Sequence, residues 1–247
     1  MKDYAGKTIW IIGASSGIGR ALAMELDSRG ANLILSARNE QALNTLSASL
    51  KNENSVVPFD AADKNSFAGA FSNLRKIDSV VYLAAAYTPG KIEDIKPDDV
   101  AAAISINLEA PYTLLRHLIP LYKKQGRGQI ALCGSVAGYV GLPGGQPYSA
   151  TKAGIINLAQ SLRSEMADEN IDVRLISPGF VRTGLTDKND FSMPMIIEPE
   201  EAAKAIADGL SGNNFEIHFP KKFTFIMKII SMLPYCLYFL IVRMIKR

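Results

Sequence analysis

Thr8-Ile-Trp-Ile-Ile12 runs directly into Gly13-Ala-Ser-Ser-Gly17-Ile-Gly19, and an amphipathic stretch follows at once. No other part of the chain restricts its fold so tightly. The first five residues are β-branched or apolar, the pattern of a short strand buried on both faces. Ile18, Leu22 and Leu26 then recur at helical spacing until Gly30, a helix stop. A glycine-rich turn between strand and helix lets the backbone approach a pyrophosphate at the helix N-terminus, where free N–H groups and the helix dipole favour an anion. A tight turn with no ligand is the alternative, and the strand–turn–helix setting argues against it.

Further strands are expected at 32–36, 56–60, 80–83, 129–133, 172–176 and 215–219. Helices are expected around Phe67, Phe71 and Leu74, around 104–108, over 148–162 and from Glu198-Pro-Glu-Glu onward. With 48% apolar and 21% charged residues, the 247-residue chain can bury a sizeable core. It has no repeat, low-complexity tract or Pro/Gly/Ser-rich linker, which favours one domain. Cys133 and Cys236 lie far apart without metal-ligand spacing, so buried thiols are expected and no metal site. His117 and His218 are isolated and read as structural. The N-terminal residues lack a secretory pattern, and the expected location is the cytoplasm, or the membrane surface within it.

Tyr148-Ser-Ala-Thr-Lys152 places a phenol and an ammonium one turn apart on one helix face. A lone phenol titrates near about 10 and is a poor acid or base at neutral pH. An ammonium held beside it favours the phenolate, which would bring the pair into range for proton transfer. Ser135 follows the apolar 129–133 run, where a strand end could project a hydroxyl towards a carbonyl oxygen. A tyrosine and a lysine at this spacing also occur on purely structural helices. The glycine-rich turn and the serine are what set this pair apart.

Together these motifs resemble the short-chain dehydrogenase/reductase family, from Lys7 to about Pro220. The Gly-x-x-x-Gly-x-Gly spacing is the form that family uses. The resemblance implies a single doubly wound α/β Rossmann domain over residues 1–220, with a mainly parallel seven-stranded sheet. It implies hydride transfer between a nicotinamide cofactor and a carbonyl or secondary alcohol, in a homodimer or homotetramer. Tyr148 would protonate the carbonyl oxygen, Ser135 would orient it, and Lys152 would lower the tyrosine's pKa and hold the ribose. Asn107 would bend its helix and support a proton-relay water. The cofactor site carries over onto Gly13, Ser15, Ser16, Gly17, Ile18, Gly19, Arg38, Asp60, Ala61, Ala84, Ala85, Tyr148, Lys152, Pro178, Gly179, Val181 and Thr183. Ala37 stands at the family's acidic position and Arg38 follows it, a pattern that suits a ribose 2′-phosphate and favours NADP(H) over NAD(H).

Two positions depart from the family pattern. Ile12 stands where relatives carry threonine, and Leu83-Ala84-Ala85 stands where they read Asn-Ala-Gly. Loss of both polar groups suggests that an apolar pair replaces a buried polar contact. The altered turn also leaves open a scaffold or regulator that has kept the fold and lost turnover. A sugar-nucleotide epimerase of the same superfamily is disfavoured by the short chain and the glycine spacing. The 184–199 segment, with Phe191, Met193, Pro194 and Met195, reads as an apolar substrate lid, so an apolar or lipid-like substrate is expected.

The segment 221–247 is an apolar, basic extension. It carries six bases and no acid, so of the net charge of +3 it supplies +6 and leaves −3 on the body. A mildly acidic body does not fit a nucleic-acid binder. Residues 229–242 are chargeless but interrupted by Pro234, and short of the roughly 20 apolar residues a span requires. Bases and tyrosines at the flanks suit a segment lying in the membrane interface. The other reading is packing on its own or a partner's subunit.

Overall fold

The computed structural model describes residues 3–72, 74 and 76–245. Its strands are β1 (Thr8–Ile12), β2 (Asn32–Ser36), β3 (Asn54–Val56), β4 (Ser79–Tyr82), β5 (Gly128–Cys133), β6 (Ile171–Pro178) and β7 (Glu216–Phe219). Its helices are α1 (Gly17–Ser28), α2 (Glu40–Ser47), α3 (Ser66–Ser72), α4 (Pro97–Ile104), α5 (Ala110–Gln125), α6 (Tyr148–Glu165), α7 (Pro199–Ser211), α8 (Lys221–Ser231) and α9 (Tyr235–Ile245). The strands form one seven-stranded sheet in the order β3-β2-β1-β4-β5-β6-β7, and every neighbouring pair is parallel. This is the expected Rossmann architecture.

Helices cover both faces of the sheet, which explains the nearly unbroken apolar strands. On one face Trp10 and Ile130 pack with Leu114, Leu118 and Tyr122 of α5 and Ile155 of α6. On the other, Ile9 and Ile11 pack with Leu22 and Leu26 of α1, Leu43 of α2 and Ile206 of α7. The fully buried Trp10 donates its indole N–H to Ser36 Oγ at 2.8 Å, and that hydroxyl donates to the Val57 carbonyl at 2.6 Å. Side chains thus join the edge of the sheet across β1, β2 and the end of β3, with no buried donor left over.

Four expectations need correcting. The thiols are not both buried: Cys133 is half-buried and Cys236, on the outer side of α9, is exposed. The third strand ends at Val56 instead of Asp60, although the Val57 and Phe59 N–H groups still donate to the Leu35 and Ala37 carbonyls; Pro58, between them, faces the open edge of the sheet, where no N–H is needed. The helix through Phe67 and Phe71 stops before Leu74. The apolar pair between Ile12 and Leu83 is not formed. Ile12 registers with Tyr82 and packs on that face, while Leu83, the next residue along, packs on the opposite face. Backbone joins the two segments instead: the N–H groups of Leu83 and Ala84 both donate to the Ile12 carbonyl, at 2.8 and 2.9 Å.

The C-terminal extension forms two short helices separated by Pro234. It is fastened to the body at several points. Lys228 pairs with Glu216, which also accepts from the Tyr139 hydroxyl. Thr224 Oγ1 lies 2.6 Å from His218 Nδ1, and the Tyr238 hydroxyl donates to the Gly141 carbonyl. Among the described residues no helix is long and apolar enough to cross a membrane.

Candidate active site

The strand order reverses at β1, which has β2 on one side and β4 on the other. The loops leaving these strands therefore diverge and open a crevice at the carboxyl end of the sheet. A cavity of about 1390 Å³ occupies that crevice. Its floor is the glycine-rich turn. Gly13 has φ +100°, and a Cβ there would lie 2.6 Å from the Ala84 nitrogen. A Cβ on Gly19 would lie 2.0 Å from the Gly13 carbonyl oxygen, so α1 could not close on the turn. The N-cap Ser16 makes no side-chain cap bond, which leaves first-turn N–H groups of α1 available to an anion. These features fit the pyrophosphate of a dinucleotide.

The structure brings all seventeen expected cofactor residues to the wall of this one cavity. Arg38 is exposed at its rim beside Asn39, whose side chain caps α2 by accepting from the Ala42 N–H at 3.0 Å. Ser135, Tyr148 and Lys152 meet in the same cavity from the end of β5 and the first turns of α6. Ser135 Oγ accepts from the Ala137 N–H at 3.1 Å and donates to the Pro178 carbonyl at 3.5 Å. Lys152 is 2% exposed; its Nζ lies 5.4 Å from the Tyr148 ring centroid and donates to the Cys133 carbonyl at 2.7 Å.

The electrostatics differ from the expectation drawn from spacing. The Tyr148 phenol is pushed up, not down: burial is the main cause, Cys133 and Tyr87 add to it, and Ser135 pulls partly back. Burial also pushes the Lys152 ammonium below its usual 10.5, against an opposing pull from Cys133. The two shifts run in opposite directions, the phenol upward and the ammonium downward. Burial, not the neighbouring ammonium, therefore governs the phenol here. A neutral phenol in this setting is a proton donor over the physiological range.

Asn107 does not border the cavity. It sits within a π-helical turn, Ser105–Glu109, between α4 and α5, where it is 1% exposed. Its side chain accepts from the Ala86 N–H at 2.7 Å and donates to the Ala86 carbonyl at 2.9 Å and to Thr151 Oγ1 at 3.1 Å. The regular α-helix is interrupted by the π-helical turn at this asparagine, and the amide ties Ala86 to α6.

Two groups of wall residues escaped the sequence reading. Tyr87 lies edge-on to the Tyr148 ring, with centroids 4.9 Å apart, and its hydroxyl donates to Asn189 Oδ1 of the lid at 2.6 Å. An aromatic residue just past the altered Leu83-Ala-Ala turn was its only signal. Phe223 and Met227 of α8 and Val242 of α9 also border the cavity. Their helical spacing was visible, but not what that face covers.

Residues 7–192 match the family described as short chain dehydrogenase. This chain belongs to the short-chain dehydrogenase family. Within that family of oxidoreductases it is 34% identical, over 224 residues, to a 3-oxoacyl-[acyl-carrier-protein] reductase, FabG, of Rickettsia prowazekii (strain Madrid E), covering 87% of this chain and 92% of that one. It is similar to a solved short-chain dehydrogenase from Sphingobium yanoikuyae in complex with NADPH, at TM-score 0.81 and 26% identity over 87% of this chain and 88% of that one. A solved 7β-hydroxysteroid dehydrogenase shares the fold at TM-score 0.83 and 21% identity, and there the match covers 99% of this chain and 98% of the other.

Proposed function

We propose that the protein is an NADP(H)-dependent oxidoreductase that interconverts a carbonyl and a secondary alcohol on an apolar, lipid-like substrate. The observation that carries this reading is the convergence of Ser135, Tyr148 and Lys152 on the cavity whose floor is the glycine cradle. NADPH, when bound, supplies the hydride. The pyrophosphate would rest on 13–19 and the N-terminus of α1, and Arg38 would meet the 2′-phosphate. Pro178, Gly179, Val181 and Thr183 would border the nicotinamide, and Asp60 and Ala61 the adenine. Ser135 would hold the carbonyl oxygen while Tyr148, kept neutral by burial, donates its proton there. Lys152 would hold the ribose. Asn107 acts as a positioning residue behind this constellation.

The substrate class follows from the remaining wall. Phe180, Leu185, Phe191, Pro194, Phe223 and Met227 present an apolar surface, and such walls select by burial of apolar area. The reductase named among the relatives acts, by its name, on a 3-oxoacyl chain, which is consistent with a ketone carried on an acyl group. Assembly as a homodimer or homotetramer and residence in the cytoplasm belong to the same reading. Titration with NADPH and NADH, followed through Trp10 or nicotinamide fluorescence, tests the cofactor assignment. Tighter NADPH binding, weakened in Arg38→Ala while NADH is unaffected, is expected. Equal affinity for both cofactors, unchanged by Arg38→Ala, would overturn it.

A further inference from the structure

We propose that α8 and α9 form a docking surface for an anionic phospholipid bilayer, through which the catalytic cavity receives a bilayer-dissolved ketone. This rests on the reading of the cavity as a carbonyl-reducing site. Each helix has two faces with different tasks. The inner faces of both helices close the cavity, and Tyr238, 7% exposed, pins α9 to the body. The outer faces carry large apolar side chains in water, among them Phe225 and Ile229 of α8, Phe239 and Leu240 of α9, and Met232 between the helices at 83% exposure. An eleven-residue helix as apolar as α9 with one buried side chain among those described has most of its apolar surface unpartnered.

Charge and length select the occupant. Segment 221–247 has six bases and no acid; Lys228 is engaged by Glu216 and Lys246 and Arg247 lie outside the described residues, while Lys221, Lys222 and Arg243 are exposed and complement an anionic lipid surface. Two copies meeting symmetrically by this face would bring like charges together. Each helix has eleven residues, about 16 Å, against a hydrocarbon core of roughly 30 Å, so the pair lies in the interface. The cavity rim is continuous with this surface. Phe191 of the lid contacts Phe180, which in turn contacts Phe223 of α8, at centroid separations of 5.9 and 5.3 Å. A ketone leaving the acyl region beside α8 would meet cavity wall before water.

The test uses the full-length protein with NADPH and vesicles of phosphatidylcholine alone or mixed with phosphatidylglycerol. Co-sedimentation is expected with the anionic vesicles and weakened by salt. The outward variant F239S/L240S should bind about tenfold or more weakly, from lost apolar burial, with an unchanged melting temperature. Turnover of a long-chain ketone held in anionic vesicles should fall in that variant, while turnover of a short water-soluble ketone stays at the wild-type rate. Absence of vesicle binding, or equal binding by the variant, would overturn the proposal. So would a wild-type oligomer that F239S/L240S dissociates in light scattering, because the face would then be a subunit interface. Vesicle binding without turnover of either ketone would overturn the catalytic reading and the lipid route but leave the docking. Turnover without vesicle binding would overturn the docking alone.

Discussion

Replacing Asn107 with alanine removes one buried amide and three hydrogen bonds, at 2.7, 2.9 and 3.1 Å. The Ala86 N–H and carbonyl then lose partners inside a wall where Asn107 itself is 1% exposed. Thr151 keeps its donation to the Tyr148 carbonyl at 2.7 Å and is the least affected. An orphaned buried polar group costs about 1–3 kcal/mol. Alanine's better helix propensity returns at most about 0.7 kcal/mol. The two Ala86 groups are half-buried, so each falls towards the lower end of that range, and a net loss of about 2 kcal/mol is expected, read as a lower urea midpoint at unchanged slope. Cofactor affinity should fall as well, because Ala84, Ala85 and Tyr87 lie on the segment that loses its tie. A loss below about 1 kcal/mol with unaltered cofactor binding would show that water replaces the amide, and would refute the positioning role.

Lys152 predicts a pH effect. Its pKa is lowered from 10.5 by burial while that of Tyr148 is raised, so the first charge lost on the alkaline side is the lysine's. Carbonyl reduction should decline at a pH below 10.5, and Lys152→Arg, which keeps its charge, should move that limb upward. An unmoved limb would contradict the assignment. Glu216 predicts an acid effect. Burial alone would raise its carboxyl, but the hydrogen bonds from Lys228 and Tyr139 and the charge of Lys228 outweigh that and hold it below 4.5. Its contribution is therefore complete above 4.5 and is lost as pH falls through the lower folded value. Proteolysis after Lys221 or Lys222 should accelerate at that point, and Lys228→Met should reproduce the loosening at neutral pH; equal cleavage in all cases would refute the anchor. Tyr87→Phe removes the bond to Asn189 at 2.6 Å but keeps the ring against Tyr148. It should raise lid mobility, seen by hydrogen exchange over 184–195, with little change in melting temperature. Unchanged exchange would contradict the latch.

Much of the fold was legible because it rests on local periodicity. Strands buried on both faces read as short apolar runs, and the glycine turn announced the crevice that the strand order then opens. The third strand reads too long because residues 57 and 59 still bond to β2 after the regular strand has ended at Val56. The catalytic trio was legible from residue type and spacing, but its electrostatics were not. Four residues between phenol and ammonium fix direction and distance and say nothing of how deeply both are buried, and burial decides the shift of each. Ile12 and Leu83 looked paired in sequence, yet strand alternation sends them to opposite faces. The tail's helical spacing was visible, whereas its inner face became meaningful only once β7 placed α8 against the cavity.

The most direct test of the central claim is turnover of an apolar ketone by Tyr148→Phe, followed through the nicotinamide absorbance, with NADPH affinity measured on the same preparation. The account predicts that NADPH binds as in the parent protein while reduction falls by about 10²–10⁴-fold, the contribution of a positioned proton donor. Undiminished reduction by Tyr148→Phe would contradict it.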